Sequence, residues 1–328
     1  AASYLNEMQH FIDALSKNAE LPVSGDDGLK ATVIAVAAKK SVDEICSTIG
    51  VDDCTWLSLP WSGLPYVPGE KNGFRLGATF FLPTDIWADP APFGVNSKFY
   101  IADSGNSTIR VVGYDVEQDQ ALLGEVLAPH LATGSFVIVL GGGHETSFGH
   151  FQGYASRDAR VGILNWDAHP DVRELQGGLG HAGSAFRQAI LDPSGACRQF
   201  VAAGLLPHVV ARSHLEFLAA HGARFVWRRD LSPARIDEIY GSLEGPSFVS
   251  FDIDAVDQAE APGASSPSVG GIPVDLWLHA AYRAGRTRAV RSCDIVEMNP
   301  VYDRDNAAAR LAAATVWHVL KGLVEREL

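Results

Sequence analysis

From about residue 107 onward, short apolar runs alternate with longer stretches whose apolar residues recur at helical spacing. The runs fall at 109–114, 136–140, 161–167, 200–204, 224–227, 247–252 and 290–296. Each is rich in Val, Ile or Phe and nearly continuously apolar, as strands buried on both faces should be. Between them, 118–131, 184–190, 213–220, 233–242, 274–284 and 306–323 carry one apolar face each and predict amphipathic helices. Strand–helix alternation of this kind predicts an α/β fold, a mostly parallel sheet with helices on both faces. The first hundred residues are patterned less clearly. Segments 32–37 and 55–59 fit strands, 3–15 fits a helix, and 60–92, rich in Pro, Gly and aromatics, predicts loop. No linker divides the chain. The expectation is a single domain over 1–328, with an elaborated part, 1–106, ahead of the motif-bearing part, 107–328.

Composition narrows the function. The 328 residues are 47% hydrophobic and 20% charged, typical of a globular chain able to bury a sizeable core. A net charge of −13 argues against a nucleic-acid surface, which needs clustered Lys and Arg, and against docking on anionic lipid. A locally basic pocket for an acidic small molecule stays open. Cys46, Cys54, Cys197 and Cys293 form no CxxC pair, so a cysteine zinc site or disulfide framework is not expected and a reducing cytoplasm is. No apolar run has the 18 residues of a membrane span, and Glu7, His10 and Asp13 near the start do not fit a signal peptide.

In parallel sheets, function sits at the carboxyl ends of the strands. There the chain reads Gly141-Gly142-Gly143-His144-Glu145, then Asn165-Trp166-Asp167-Ala168-His169-Pro170-Asp171, then Asp252-Ile253-Asp254-Ala255-Val256-Asp257, then Cys293-Asp294-Ile295-Val296-Glu297. Asp167, His169 and Asp171 alternate, as do Asp252 and Asp254, so an extended strand would send each set out on one face. With His144 this brings together four carboxylates and two imidazoles. Carboxylates packed so closely repel and would take up protons, and divalent cations remove the problem. The donors are too many for one tetrahedral ion, which points to two metals. Mixed O and N ligation without thiolate favours Mn²⁺ over zinc, and imidazole argues against Mg²⁺ or Ca²⁺. A pair of such ions lowers the pKa of a shared water and readies it as a nucleophile. Any one of these residues can equally be a helix cap or loop hydrogen-bonder; the set of six in this order carries the reading. The glycine triplet is expected to form a tight turn needing positive φ rather than a phosphate cradle, since no P-loop Lys follows and GxGxxG is absent.

The motifs GGGHE at 141–145, NWDAHPD at 165–171, SFDIDAVD at 250–257 with Ala261-Pro262-Gly263 and Pro267, and DIVEMNP at 294–300 resemble those of the ureohydrolase family of arginases and agmatinases. The resemblance spans about residues 107–328. It implies a three-layer α/β/α sandwich with a binuclear Mn²⁺ centre that hydrolyses C–N bonds of guanidino or amidino groups, usually as a homo-oligomer. Carried over by position, His144, Asp167, Asp171 and Asp252 would hold one ion, and Asp167, His169, Asp252 and Asp254 the other. Asp167 and Asp252 would then bridge. Glu297 matches the acid that pairs with the cationic substrate group, and a carboxylate can meet a planar cation bidentately.

Smaller details imply the branch. Arginases and agmatinases read GGDHS where this chain has GGGHE. In the segment His181-Ala182-Gly183-Ser184-Ala185-Phe186-Arg187-Gln188, the family's catalytic His falls on Ala182. Both features, with Pro262–Pro267, are similar to the formimidoylglutamases, which convert N-formimidoyl-L-glutamate and water to L-glutamate and formamide in histidine degradation. Asp254 and His181 are then candidates to carry a proton to the leaving amine. Ser184, Arg187 and Arg173 are candidates to bind the substrate's two carboxylates, Arg being suited as a planar donor fork. His150 reads as a packing or surface residue, and His208 and His214 lack acids at ligand spacing. Asp257 reads as a loop contact, and Asp294 and Asn299 as supports for Glu297 or caps of the next segment. Gly73, Arg75, Gly77 and Ala78 match the family's GxRxGA, but Thr79–Pro83 lacks the Gly-Pro that the family usually places next. Two rival readings are another amidinohydrolase that releases urea and an inactive metal-binding regulatory subunit.

Overall fold

A computed structural model describes residues 116–299 and 302–326, together with the backbone of four strands upstream. Those strands are β1 (Gly73–Phe74), β2 (Pro83–Ala88), β3 (Lys98–Asp103) and β4 (Thr108–Gly113). They pair in the order β1-β4-β3-β2, antiparallel except where β1 runs alongside β4. Two of them correct the loop expected over 60–92. Pro83 opens β2, the edge strand of this sheet, a position where proline is tolerated. The segments expected at 3–15, 32–37 and 55–59 lie outside the described residues.

The main sheet is parallel throughout and has the order β5-β10-β9-β6-β7-β8. Its strands are β5 (Val137–Leu140), β6 (Val161–Trp166), β7 (Cys197–Leu205), β8 (Arg224–Trp227), β9 (Ser247–Asp252) and β10 (Val290–Val296). All six were legible as apolar runs. The helices are α1 (Val116–Ala132), α2 (Thr146–Ala155), α3 (Ala185–Leu191), α4 (Arg212–Ala220), α5 (Pro233–Gly241), α6 (Val274–Arg286) and α7 (Ala307–Val324). Six of these were expected within a few residues. Ser232-Pro233 starts α5 as its chemistry dictates: the Ser232 hydroxyl accepts from Arg235 N, and proline occupies the first turn. No helix among the described residues is long and apolar enough to cross a membrane.

Helix α2 was not expected, and its burial explains why. Ser147, Phe148, Gly149, His150, Phe151, Gly153 and Tyr154 are all buried, so no polar face marks it as amphipathic. Its glycines face α1: a Cβ on Gly149 would come 3.0 Å from Gln120 O, and one on Gly153 would come 3.1 Å from Leu127 Cβ.

The sheet separates two apolar layers, and strand alternation decides which residue enters which. Leu164, Trp166, Val249, Phe251, Cys293 and Ile295 pack with Ile236, Tyr240, Trp277 and Val319 from α5, α6 and α7. Ile163, Phe200, Ala202 and Phe248 pack on the other side with Phe151, Phe186 and Leu218 from α2, α3 and α4. This is the expected arrangement of helices on both faces. The chain runs outward from β6 through β7 to β8, then returns with β9 on the other side of β6 and continues to β10. That reversal between β6 and β9 opens a crevice at their carboxyl ends, the usual ligand position in such sheets.

Candidate metal centre

Five segments deliver side chains to that crevice. His144 lies between β5 and α2, Asp167, His169 and Asp171 follow β6, and Asp252 ends β9. Asp254 sits in the short turn Ile253–Ala255, and Glu297 follows β10. The strands do not stay extended there, contrary to the expectation from alternation. β6 stops at Trp166, and Asp167 Oδ1 accepts the His169 amide at 2.7 Å. Asp252 Oδ1 likewise accepts the Asp254 amide at 2.8 Å. Side-chain turns of this kind close the backbone locally and aim the second acid of each motif inward. Asp171 and Glu297 complete the bend with φ of 45° and 64°. The glycine triplet also behaves otherwise than expected, since none of its members has positive φ. Gly141 is instead confined by neighbours: a Cβ would come 2.9 Å from Thr146 Cγ2 and 3.1 Å from Val296 Cγ1.

Two donor groups result, each with ligand atoms within 4.8 Å of one another: His144, Asp167, Asp171 and Asp252, and then Asp167, His169 and Asp254. His144 Nδ1 is 2.9 Å from Asp171 Oδ2, 3.0 Å from Asp252 Oδ2 and 3.4 Å from Asp167 Oδ2. His169 Nδ1 is 3.3 Å from Asp167 Oδ1 and 3.4 Å from Asp254 Oδ2. Asp167 therefore stands between the groups with one oxygen toward each. Asp252 joins only the first group.

The residues fit divalent cations. His144 Nδ1 and Asp254 Oδ1 are fully buried, and neither makes a well-formed hydrogen bond despite the crowd of donors and acceptors around them. Burial, then the charges of Asp254 and Asp167, push Asp252 well above the usual carboxyl range. Burial and the Asp167 charge, against the His169 hydrogen bond, raise Asp254 to about 7. Burial opposes protonation of His169, but Asp167 and Asp254 outweigh it and lift the ring to about 12. His144 is raised in the same way, burial being outweighed by Asp171 and Asp252. Without cations the cluster must store protons to hold its charges together, and oxygen and imidazole donors suit ions such as Mn²⁺.

Glu297 Oε1 accepts the His144 amide at 2.7 Å, and the Glu297 amide binds Gly142 O at 2.8 Å. Glu297 is thus fixed at the cluster's edge. Burial and the Glu145 charge raise its pKa.

The loop between Asp171 and α3 forms the rim. His181 Nε2 is 3.0 Å from Glu174 O. The buried Ser184 hydroxyl accepts from His181 N and donates to His181 O, both at 2.9 Å, which starts the turn into α3. The Arg187 guanidinium lies 4.4 Å from the Phe217 ring centroid, with one NH on Val172 O at 3.2 Å and another 3.7 Å from Glu174 Oε1. Arg173 is exposed, and its amide binds Gly183 O at 2.8 Å. His214 joins this rim from α4. Its Nδ1 is buried without a hydrogen-bond partner, and burial and the Arg173 charge hold its pKa down. Nothing in its spacing could have shown this.

Behind His144 lies a set of polar residues that the sequence pattern undervalued. His150, expected to be packing or surface, is fully buried and binds Asp294 Oδ2 through Nδ1 at 2.8 Å. Asp294 supports no contact to Glu297; it accepts from Ser250 at 2.5 Å and Ser147 at 3.1 Å. The available signal was Ser250 on β9 and the alternating Ser292 and Asp294 on β10, polar residues in mid-strand among Phe, Val, Cys and Ile. Asp257 keeps its expected loop role, accepting the Ala259 and Gly270 amides at 3.0 and 2.9 Å. Asn299 Nδ2 meets Ser265 Oγ at 3.1 Å.

A parallel sheet with a His/Asp cluster at its reversal is the architecture of the ureohydrolases. The chain belongs to the arginase family, whose family model matches residues 72–321. That match reaches upstream of the motif-bearing part, to the segment that includes Gly73 and Arg75. The formimidoylglutamase of Nocardia farcinica is 31% identical over 260 residues, covering 76% of this chain and 82% of its own. That of Halalkalibacterium halodurans is 29% identical over 287 residues, covering 80% and 89%. Among solved structures, Trypanosoma cruzi formiminoglutamase with Mn²⁺ aligns with a TM-score of 0.61 and 25% identity, covering 67% of this chain and 78% of that one.

Proposed function

We propose that this chain is a formimidoylglutamase: it hydrolyses the formimidoyl C–N bond of N-formimidoyl-L-glutamate to L-glutamate and formamide, with two Mn²⁺ per chain. One observation carries the reading. Two largely buried donor groups share Asp167 beside a fixed Glu297, in a chain 31% identical to a formimidoylglutamase. His144, Asp167, Asp171 and Asp252 would hold one ion, and Asp167, His169 and Asp254 the other; Asp252, grouped with the first, would reach the second only by turning its carboxylate between them. When bound, the ions supply Lewis acidity and activate water for attack on the formimidoyl carbon.

The chain's own residues do the rest. Glu297 binds the amidinium, because Oε1 is held by the His144 amide and the second oxygen is left to the cation. Asp254 carries a proton to the leaving nitrogen, its Oδ1 having no other partner. His181 is the second carrier, its ring held at the rim with Nε2 3.0 Å from Glu174 O. Arg187 and Arg173 pair with the substrate carboxylates, and Ser184 holds the turn that presents them. The enzyme works in the cytoplasm as a homo-oligomer.

The test is an NMR assay of the Mn²⁺-loaded protein on N-formimidoyl-L-glutamate, with agmatine, arginine and guanidinobutyrate in parallel. Formamide and glutamate appearing together, and lost in Asp252→Ala, are the expected result. Urea from one of the other substrates, with no formamide, would overturn the assignment.

A further inference from the structure

We infer that Asp294 is a positioning residue for the metal centre: acting through Ser250, it sets which nitrogen of His144 carries hydrogen and so presents Nδ1 as a ligand. This rests on His144 being a ligand, as proposed above.

Adjacent strands supply the residues. Ser250 and Asp294 are register partners on β9 and β10, so their side chains leave the sheet on the same side. Ser147, His150 and Tyr154 descend onto them from α2, and every member of the set is buried. The hydrogen bonds have one consistent direction. Ser250 has a single hydrogen, and its 2.5 Å approach to Asp294 Oδ1 commits that hydrogen to the carboxylate. Toward His144 Nε2, 2.9 Å away, Ser250 can therefore only accept. Nε2 must then carry a hydrogen in every state, which leaves Nδ1, facing Asp167, Asp171 and Asp252, as the nitrogen that gives up its proton to an ion. Had Ser250 donated to His144, two acceptors would stand 2.5 Å apart and Nδ1 would bear the hydrogen, where no ion could use it.

A second arm holds Asp294 from behind. Burial pushes the Tyr154 hydroxyl up to about 12, so it keeps its proton. It donates to Ser292 Oγ at 2.6 Å, Ser292 donates to His150 Nε2 at 2.7 Å, and His150 Nδ1 donates to Asp294 Oδ2 at 2.8 Å. Ser147 adds a second hydroxyl to Oδ1 at 3.1 Å. Both arms point their hydrogens at Asp294, so the carboxylate is the one group that fixes the direction of the whole set. Partners one step removed from a metal typically change affinity about 10- to 100-fold.

The experiment titrates metal-free protein with Mn²⁺ and reads the free-ion EPR signal, which gives stoichiometry and affinity without any assay of activity. Asp294→Asn and Ser250→Ala are each expected to weaken one of the two ions by about 10- to 100-fold. The double variant is expected to be no weaker than Ser250→Ala alone, because Asp294 acts through that hydroxyl. A merely structural role would lower the melting temperature of the metal-free protein without this non-additivity. Unchanged affinity in both single variants, or losses that multiply in the double, would overturn the proposal. If Asp294→Asn does not fold, Ser250→Ala decides: weakened binding of one ion supports the inference, unchanged binding ends it. Asp252→Ala separates the two readings. Two ions retained there would sink the ligand assignment itself, whereas loss there with no effect at Ser250 and Asp294 would sink only the positioning role.

Discussion

Asp171 and Glu297 hold left-handed backbones, which non-glycine residues adopt at a cost of about 1–3 kcal/mol each. Both sit where the chain bends beside the donor cluster, so the strain coincides with the proposed site. Glu297→Gln keeps the acceptor for the His144 amide and removes only the charge. A charge-assisted hydrogen bond contributes about 1.5–3 kcal/mol, so kcat/KM is expected to fall roughly 10- to 150-fold with the Mn²⁺ stoichiometry unchanged. Steady-state kinetics and metal analysis on the same preparation check both halves. The six ligand candidates were legible because each motif packs acids and imidazoles within a few residues. His150 and Asp294 were misread because their partners lie far away along the chain, 144 residues apart for the pair itself.

At the scale of elements, α6 and α7 touch backbone to backbone. A Cβ on Gly285 would overlap Val319 O, and one on Gly322 would overlap Tyr282 O. Gly285→Ala must push the helices apart and is expected to cost about 1–3 kcal/mol or more, read as a lower denaturant midpoint at unchanged slope. Both glycines lie inside helices, where pattern alone scores them as unfavourable. The same blindness hid α2: a helix buried all round shows no stripe. The strands were legible, since burial on both faces leaves a continuous apolar run. Their ends were not, because the turns at Asp167 and Asp252 come from side chains that bind their own backbone.

For the whole molecule, the protons stored in the metal-free cluster set the pH dependence. His169, raised from 6.5 to about 12, stabilises the metal-free fold fully below about pH 6.5, and this is lost as pH climbs toward 12. Asp254, raised from 3.8 to about 7, likewise contributes below 3.8 and loses that contribution as pH passes 7. Bound cations need these groups deprotonated, so binding expels protons and strengthens as pH rises. The rise in melting temperature on adding Mn²⁺ is therefore expected to be larger at about pH 8 than at about pH 5.5. At a hundredfold excess over Kd, one ion adds about 2.7 kcal/mol. Thermal melts with and without Mn²⁺ at the two pH values read this directly, and chelation should reverse the gain. An equal gain at both pH values would contradict the stored-proton account.

Local pattern alone determined the alternation of strands and helices, the parallel sheet, and the acids and imidazoles at its carboxyl ends. Periodicity and motif spacing are properties of neighbours along the chain, and burial on both faces writes them plainly. Tertiary structure decided what depends on neighbours in space. It placed β9 beside both β6 and β10, which brings Asp252 to Asp167 and Ser250 to Asp294. It set α2 over that junction, so that His150 and Tyr154 reach polar groups on β10. Strand order is fixed by how the helices pack over the sheet, and no local spacing encodes it. The ligand candidates could therefore be read from the chain, while the hydrogen-bonded set behind His144 needed the fold.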